Sequence, residues 1–380
     1  MSTGNMSEKH LHIISFDIPY PPNYGGVIDV FYKIRTLHEL GVKIHLHCTE
    51  YPGRDRAPEL EKYCSEVNYY HRRTGLLYAL SPKPYIVESR KSEEMINRLL
   101  RDNHPVLFEG LHSCYYIDDP RLKDRIKIYR ESNIEHRYYF NLFKVDKKFK
   151  SKFYFLLASL KLRLYQKVLK HADIMMAVSK KDTEYLKRHF RKNKVVHLPS
   201  FHANNSLSIL PGRGDYALYH GNIEVPENEY AAKFLVTEVF NGSNMKLVIA
   251  GMNPPESTRN LVRQYPNVEL IPNPNDNRMF ELIREAQVNI LVTFQATGLK
   301  LKLLNTLYNG RFCLVNEEMI KGTAVKELCE IGNSAAELRE KLVLLFSREL
   351  TEEEKKQRIE VLRDNYDNIS NGKRLIKLIF

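Results

Sequence analysis

Apolar and polar positions along this chain alternate with the two periods expected of buried strands and amphipathic helices. Short apolar runs, which predict strands, are followed by apolar residues at helical spacing, and this order repeats through both halves of the chain. The rhythm predicts an α/β protein with two doubly wound, Rossmann-like domains, each a parallel sheet with helices on both faces. The predicted strands cover residues 11–16, 42–48, 106–112, 126–136, 174–178, 195–198, 216–219, 246–250, 268–271, 288–292 and 312–315.

Changes in this pattern predict where the domains begin and end. Residues 1–10 lack an apolar core and are interpreted as a disordered leader. Residues 11–200 form the first predicted domain and residues 216–365 the second. The stretch between them, 201–215, is rich in Asn, Ser, Pro and Gly and is the predicted linker. Residues 366–380 are expected to form an amphipathic tail helix. Two domains of this kind commonly bind a ligand in the cleft that they face.

The most informative stretch is a predicted strand, turn, helix and strand near residue 300. The strand at 288–292 is followed by Gly298, and the helix after it ends at Gly310. The turn meets a helix N-terminus, where free backbone N–H groups favour an anion, and Lys300 and Lys302 add positive charge there. These features predict a diphosphate site. The alternative is an ordinary turn with solvated lysines.

Polar residues also follow the predicted strands of the first half. Gly25 and Gly26 open a helix after the first strand and leave room for a ligand against the backbone. Four further polar residues lie at strand ends. Glu109 and His112 follow one predicted strand, and Asn133 and Glu135 follow the next. Open α/β sheets build sites at the carboxyl ends of their strands. A capping or packing role is the alternative for each residue alone.

Charge and cysteine content restrict the class of protein. The chain has 380 residues, a formal charge of +12 and a pI near 9.2, which indicate an anionic partner such as phosphate, nucleic acid or an acidic membrane. Its five cysteines are scattered without a Cys-x-x-Cys pair, which argues against a disulfide scaffold and a zinc site. No apolar run is long enough to cross a bilayer. The expected location is the cytoplasm.

One predicted helix, over residues 144–170, is a candidate contact with the inner face of the membrane. It carries nine basic residues and one acid, Asp146, and Phe155 and Leu162 fall outside its main apolar stripe. Apolar groups among basic ones suit an anionic lipid surface. The alternative is a solvated basic face on a helix packed against the core. The predicted core stripe consists of Phe149, Phe153, Leu156, Leu160, Leu164 and Val168.

Short motifs spread over nearly the whole chain resemble GT-B glycosyltransferases of the large retaining group that includes bacterial surface-polysaccharide enzymes. Each motif is only moderately specific, but their order is hard to obtain by chance. In that family an N-terminal glycine loop lies against the donor diphosphate, and the segment with Gly221 and Asn222 opens the nucleotide domain. The motifs are Pro21–Gly26, Arg130–Glu135, Tyr138–Tyr139, Ala177–Ser179, His197–Ser200, Tyr219–Asn222, Pro226–Asn228, Leu247–Gly251 and Thr297–Asn305.

The resemblance implies GT-B architecture and a donor site that departs from the family pattern at Ser132, at Asn222 and Glu227, and in the family signature. The family signature has two glutamates, which contact the donor sugar and the ribose, and here those positions are Thr297 and Asn305. The amide of Asn305 can still hydrogen-bond a ribose, but more weakly than a carboxylate. Donor binding is therefore expected at Gly25, Gly26, Gly221, Asn222, Thr297, Gly298, Lys300, Lys302 and Asn305.

The implied reaction is transfer of a sugar, with retention, from a nucleotide-sugar to a hydroxyl of a glycan or lipid-linked acceptor. The chain contains no Asp-x-Asp, so helix N-termini and lysines are expected to stabilise the leaving diphosphate without a metal or other cofactor. The expected catalytic residues are Glu109, His112, Asn133 and Glu135. The alternatives are a non-catalytic relative and a sugar-nucleotide epimerase. A nucleic-acid binder is disfavoured because no such module is recognised.

Overall fold

A computed structural model describes residues 8–75, 78, 81–145, 149–294 and 301–380. These residues form two compact units. The first contains the described residues up to His202 together with Asn368–Phe380, and the second contains those from Ala203 to Asp367. Among the described residues, no helix is both long and apolar enough to cross a membrane.

The first unit is built on a seven-stranded, fully parallel sheet with the order β3-β2-β1-β4-β5-β6-β7. The strand order reverses between β1 and β4. Apolar residues fill both faces of this sheet, which explains why its central strands are continuous apolar runs. The strands are β1 His10–Ser15, β2 Lys43–Glu50, β3 Glu66–His71, β4 Val106–Glu109, β5 Lys127–Glu131, β6 Ile174–Ala177 and β7 Lys194–His197.

The second unit has a six-stranded parallel sheet with the order β10-β9-β8-β11-β12-β13, and here the order reverses between β8 and β11. Two buried clusters cover its faces. The prediction of two doubly wound α/β domains is thus confirmed. The strands are β8 Tyr216–Asn222, β9 Lys246–Met252, β10 Val268–Pro272, β11 Val288–Leu291, β12 Phe312–Val315 and β13 Glu330–Ile331.

Helices connect nearly all successive strands, as parallel pairing requires. The α-helices among the described residues are α1 Gly25–Glu39, α2 Tyr85–Glu88, α3 Glu93–Leu99, α4 Glu135–Val145, α5 Phe149–Tyr165, α6 Lys180–His189, α7 Pro226–Phe234, α8 Glu256–Val262, α9 Asp276–Glu285, α10 Leu301–Asn309, α11 Glu317–Ile320, α12 Ala335–Ser347, α13 Glu352–Tyr366 and α14 Asn368–Ile379. Short 3₁₀ segments lie at Pro58–Lys62, Leu111–Tyr116, Pro120–Leu122, Gln166–His171 and Lys326–Leu328, and a π turn at Leu235–Val239.

The C-terminal helix α14 packs on α1 of the first unit. Its Gly372 lies so close to α1 that an added Cβ would be 2.7 Å from Leu40 and 2.8 Å from Thr36. Leu375 and Ile379 are buried in the core that α1 also lines. The last residues of the chain therefore complete the first sheet's covering layer.

Most of the helix predicted over 144–170 is present, as α5 and the 3₁₀ segment after it, but the predicted core-facing stripe is wrong. Helix α4 ends at Val145 and α5 begins at Phe149, and the two pack against each other, since the Ser159 hydroxyl donates to the His136 carbonyl at 2.7 Å. Leu162 is fully buried, whereas Leu160 and Leu164 of the predicted stripe are 52% and 66% exposed. Apolar residues lie all round this helix, so their spacing could not identify the buried face.

Candidate active site

The carboxyl ends of β1 and β4 meet where the strand order of the first sheet reverses, and the first group of candidate residues lies there. Helix α1 begins at Gly25, and no side chain caps its N-terminus. Gly26 packs on the ring of Phe16, since an added Cβ would lie 2.6 Å from the ring. The predicted helix start at Gly25 and Gly26 is thus present, with backbone N–H groups available to an anion.

His112 and Glu135 come together at this edge of the sheet. His112 follows β4 and Glu135 is the first residue of α4, and their Nδ1 and Oε1 atoms are 3.8 Å apart. Gly110 has a φ of +72° and no side chain, so the His112 ring can pack against its backbone. A Cβ atom added to Gly110 would lie 3.2 Å from Nδ1 of His112. The buried Nδ1 of His112 has no hydrogen-bond partner among the described residues. The structure therefore presents a carboxyl group beside an unsatisfied imidazole.

Burial sets the protonation states of this pair. It raises the pKa of Glu135 to about 8, even though the charge of Arg90 opposes the shift. It also lowers the pKa of His112 well below its usual range, with Arg90 and Arg72 adding to the effect. At neutral pH we expect a protonated carboxyl and a neutral imidazole. Both groups can then offer a hydrogen bond without carrying charge.

Glu109 has a different environment from the one that a catalytic role requires. Its carboxylate contacts the Nζ atom of Lys33 at 2.6 Å, and Lys33 contacts Asp29 at 3.0 Å. Arg130 forms two 3.2 Å contacts with Asp29 and donates to the Leu198 carbonyl. All four charged residues are at most 3% exposed. Glu109 therefore belongs to a buried ion network that ties α1, β4 and β5 to the segment after β7.

The charges in this buried network balance. Burial would raise the pKa of Asp29, but the charges of Arg130 and Lys33 lower it below its usual range. The backbone N–H of Phe201 also donates to Asp29, at 2.7 Å. Two cations and two carboxylates are satisfied together, which is the condition under which buried charge is tolerated.

Sequence reasoning missed Glu131, which lies beside the predicted pair Asn133 and Glu135. Its carboxylate accepts a 2.7 Å bond from the Tyr129 hydroxyl and a 3.2 Å bond from the Asn133 backbone N–H. Burial raises the pKa of Glu131, and the nearby Glu135 raises it further. Asn133 is half-buried. Glu131 is the last residue of β5. A carboxylate at the carboxyl end of a strand was the feature of the sequence that could have identified it.

In the second unit the candidate residues gather where the strand order reverses between β8 and β11. Lys302 lies in the first turn of α10, and its Nζ atom donates to the Asn228 side chain at 3.3 Å and lies 5.2 Å from the centre of the Tyr219 ring. His220, on β8, contacts the Thr306 hydroxyl at 3.2 Å. Burial, followed by the charge of Lys302, lowers the pKa of His220 to about 3. His220 is thus neutral, and Lys302 supplies the positive charge.

Asn305 is held in a network of amides. Its Oδ1 accepts from the Asn204 side chain at 2.9 Å, and the Asn309 side chain bonds both the Asn305 carbonyl and Asn204 at 2.8 Å. Asn305 is half-buried on α10, one turn beyond Lys302. Its side-chain NH₂ group is therefore the end left to donate to a ligand.

Gly221 and Asn222 end β8 close to these residues. Gly251 on β9 has no room for a side chain, since a Cβ would lie 1.8 Å from the Gly221 carbonyl oxygen. The Asn222 carbonyl accepts from the Asn228 side chain at 2.8 Å. Asn228 thus links the end of β8 with Lys302. This role for Asn228, and the contact of Glu227 with Thr293 after β11, were not assigned from the sequence.

Three predicted donor-binding residues, Thr297, Gly298 and Lys300, lie outside the described residues. The elements that flank them, β11 and α10, are present as the pattern predicts.

Comparisons with known proteins agree on the fold. No family model matches the sequence. A protein of Klebsiella pneumoniae described as an uncharacterized 44.6 kDa protein in cps region is 24% identical over 382 residues, which cover 94% of this chain and 96% of that protein.

Solved structures are more distant in sequence but similar over their whole length. A variant of S. aureus TarM, solved with fondaparinux, alpha-GlcNAc-glycerol and UDP, has a TM-score of 0.68 at 11% identity and covers 98% of this chain and 99% of that one. Sucrose-phosphate synthase from Thermosynechococcus elongatus gives 0.67 at 13%, with 97% and 98% covered. WaaG, a glycosyltransferase involved in lipopolysaccharide biosynthesis, gives 0.62 at 12%, with 97% and 99% covered. The chain has the GT-B glycosyltransferase fold.

Proposed function

We propose that this protein is a glycosyltransferase that moves a sugar from a nucleotide-sugar donor to a hydroxyl group of a glycan or lipid-linked acceptor. The observation that carries the proposal is Lys302, which lies in the first turn of α10 at the point where the strand order of the second sheet reverses. It is held there by Asn228 and Tyr219. Open α/β sheets bind ligands at such points, and a helix start with a lysine suits a diphosphate.

The similar proteins support this class of donor and product. The S. aureus TarM variant was solved with UDP, and an α,α-trehalose-phosphate synthase of Burkholderia vietnamiensis is described as UDP-forming. WaaG acts in lipopolysaccharide biosynthesis, and the Klebsiella relative lies in a cps region. Synthesis of a bacterial surface polysaccharide is therefore the process that we propose.

In the proposed reaction, an acceptor hydroxyl replaces the nucleoside diphosphate at the anomeric carbon, with retention. Lys302 and the start of α10 stabilise the negative charge that develops on the leaving diphosphate. Metal ions are not required, because fixed N–H dipoles and a lysine supply the positive potential. Asn305 donates to the ribose through its NH₂ group.

In the first unit, one pair of neighbouring groups is suited to binding a sugar. His112 and the protonated Glu135 donate and accept hydrogen bonds to its hydroxyls, since both are neutral at pH 7. Glu109 acts indirectly, through the ion network that fixes α1 and β4. It is a positioning residue in this proposal.

The test is release of nucleoside diphosphate from a panel of UDP-, GDP- and dTDP-sugars, with bacterial lipid extract as the acceptor source. We expect one nucleotide to be released, equally with and without EDTA, and the Lys302→Ala variant to be slow. Lys326→Ala is a matched control, because that exposed lysine lies in the same unit and pairs with Glu317 on the surface. Binding without release by any donor would favour a non-catalytic relative.

We further propose that α5 docks on an anionic membrane. Phe153, Leu157, Leu160 and Leu164 are 64%, 44%, 52% and 66% exposed and recur at helical spacing, so they form one outward apolar stripe. Lys150, Arg163, Lys167 and Lys170 are exposed on the same segment, Phe149–His171, and complement anionic headgroups. A lipid-linked acceptor would be presented at this surface.

Co-sedimentation with vesicles tests the docking proposal. We expect binding to vesicles with phosphatidylglycerol, weak binding to pure phosphatidylcholine, and loss of binding as salt rises. The double change Leu160→Glu and Leu164→Glu should abolish binding, whereas Leu344→Glu, at an exposed leucine of α12, should not. Equal sedimentation with both kinds of vesicle would overturn the proposal, as would a concentration-dependent dimer covering this stripe.

A further inference from the structure

A cluster of histidines lies at the amino edge of the first sheet, away from the strand ends that carry His112 and Glu135. It contains His10 and His12 on β1, His45 and His47 on β2, and His104 just before β4. Residues two apart on a strand share a face, and the parallel register pairs His12 with His45, so these side chains lie on one face of the sheet.

Three of these side chains bring ring nitrogen atoms close together. The Nδ1 atom of His10 is 3.0 Å from Nε2 of His45, and each of His10, His45 and His104 offers a ligand atom within 4.8 Å of the other two. All three side chains are partly exposed, so an ion from solvent can reach them. Two nitrogens bound to one tetrahedral metal ion are about 3.4 Å apart, close to the observed 3.0 Å.

A carboxylate already fixes the orientation of the middle ring. Nδ1 of His45 lies 2.9 Å from Oε1 of Glu66, so the proton of His45 is on Nδ1 and the lone pair of Nε2 points toward His10. Metal-binding histidines commonly donate their second ring nitrogen to a carboxylate in this way, which fixes the tautomer and raises the basicity of the ligand.

A buried layer supports the three outer rings. The Nδ1 atom of His12 is 2.9 Å from Nε2 of His47, and Nε2 of His12 contacts the Asp102 carboxylate at 3.0 Å. His47 in turn contacts the Tyr70 hydroxyl at 2.7 Å. These two rings are at most 1% exposed and have all their partners within the protein. They support the three outer rings from below and are not proposed as metal ligands.

We propose that His10, His45 and His104 bind a late first-row divalent cation such as Zn²⁺. Imidazole ligands suit zinc, copper and nickel, whereas Mg²⁺ and Ca²⁺ prefer oxygen. A metal lies in the plane of each ring that binds it, and the His104 ring is stacked on His10 with centres 4.4 Å apart and 12° between planes. Binding therefore turns the His104 side chain, and solvent water completes a four-coordinate site.

The bound ion would join β1, β2 and the segment before β4. Ligands that come from three separate segments of the chain are together only in the folded protein, so an ion bound to them stabilises the native state. The proposed site is separate from the donor chemistry. Loss of the metal should lower the melting temperature of the protein and leave nucleotide binding unchanged.

The experiment is calorimetric titration of the full chain, without an oligohistidine tag and after treatment with EDTA, with ZnCl₂ and in parallel with MgCl₂. We expect one Zn²⁺ per chain with a micromolar or lower Kd, a higher melting temperature, and no response to Mg²⁺. His10→Ala and His104→Ala should each weaken Zn²⁺ binding at least 100-fold. Glu66→Gln should weaken it 10- to 100-fold, because this change removes only the carboxylate that orients His45.

His71→Ala is the matched control, since His71 is an exposed histidine on the neighbouring strand β3. This variant should bind Zn²⁺ as the wild type does. X-ray absorption at the zinc edge should show nitrogen neighbours at about 2.0–2.1 Å. The proposal is overturned if 100 μM Zn²⁺ does not bind. It is equally overturned if His10→Ala and His104→Ala, folded by circular dichroism, keep the affinity of the wild type.

Discussion

The two sheets end in polar residues in the same topological position, but they use them differently. In the first unit, Glu109 and Arg130 are buried in an ion network, and Glu135 is buried beside His112. In the second unit, the amide of Asn228 holds the half-buried Lys302, and the amide of Asn204 holds Asn305. A polar residue at a strand end is therefore not by itself a catalytic group. Its burial and its partners decide whether it holds the fold together or meets a ligand.

The largest effect that this comparison predicts is the loss of stability when the buried network is broken. Asp29→Asn would leave Lys33 and Arg130 with Glu109 as their only carboxylate, and the free energy of unfolding should fall by about 3–5 kcal/mol. Urea denaturation measures this. Asp124→Asn, at an exposed position of the same unit, should change it by less than about 0.5 kcal/mol. If both variants changed the free energy of unfolding by similar amounts, the structural role that we assign to the network would be contradicted.

The second prediction concerns ligand binding in the other unit. Lys302→Ala should weaken binding of the donor nucleotide by about 1.5–3 kcal/mol, the size of a hydrogen bond to a charged group. Its effect on the melting temperature should be small, because Lys302 is half-buried and its partner Asn228 is neutral. Calorimetry on Lys302→Ala and Lys326→Ala gives the comparison. Unchanged affinity in the Lys302 variant would place the diphosphate elsewhere.

A third effect is the pH dependence of stability caused by Glu135, which is small over any single pH unit. Its pKa is raised to about 8 in the folded protein and is near 4.3 in an unfolded chain, so between these values the native state binds one proton more. Stability should therefore fall as pH rises through this range, by at most about 1.4 kcal/mol per pH unit from this group. Glu135→Gln should flatten the dependence between pH 5 and 8. An identical slope in wild type and variant would show that Glu135 is ionised.

The smallest predicted effect is at Asn305. Asn305→Ala removes one neutral hydrogen bond to the ribose and should weaken donor binding by about 1 kcal/mol, or roughly fivefold. Asn305→Glu should be tolerated, because one carboxylate oxygen can accept the bond from Asn204 and the other can accept a hydrogen bond from a ribose hydroxyl in place of the NH₂ group that donates now. Titration of both variants with the donor nucleotide checks this. A larger loss for glutamate than for alanine would contradict the proposed contact.

The sequence predicted the fold well because the central strands are apolar on both faces. Strand β3, Glu66–His71, was missed because an edge strand with polar residues lacks that signal. The buried face of α5 was misassigned for the opposite reason, because apolar residues of that helix lie on all of its sides.

The sequence predicted that the candidate residues lie at strand ends and helix starts, but it did not predict their partners. The motifs located Lys302 and the strand-end residues His112 and Glu135. The buried ion network was not predicted, because Asp29 and Lys33 look like an ordinary solvated pair on α1 and Arg130 lies 101 positions beyond Asp29. Only the fold shows that these charges meet.

The central claim is that the second unit binds a nucleotide-sugar donor, and calorimetric titration of the wild-type chain with UDP, GDP and dTDP tests it most directly. The account predicts that one of the three binds at a single site with a Kd below 1 mM, without added metal, and that its nucleotide-sugar competes for the same site. If none of the three binds at millimolar concentration, the proposed donor site is contradicted.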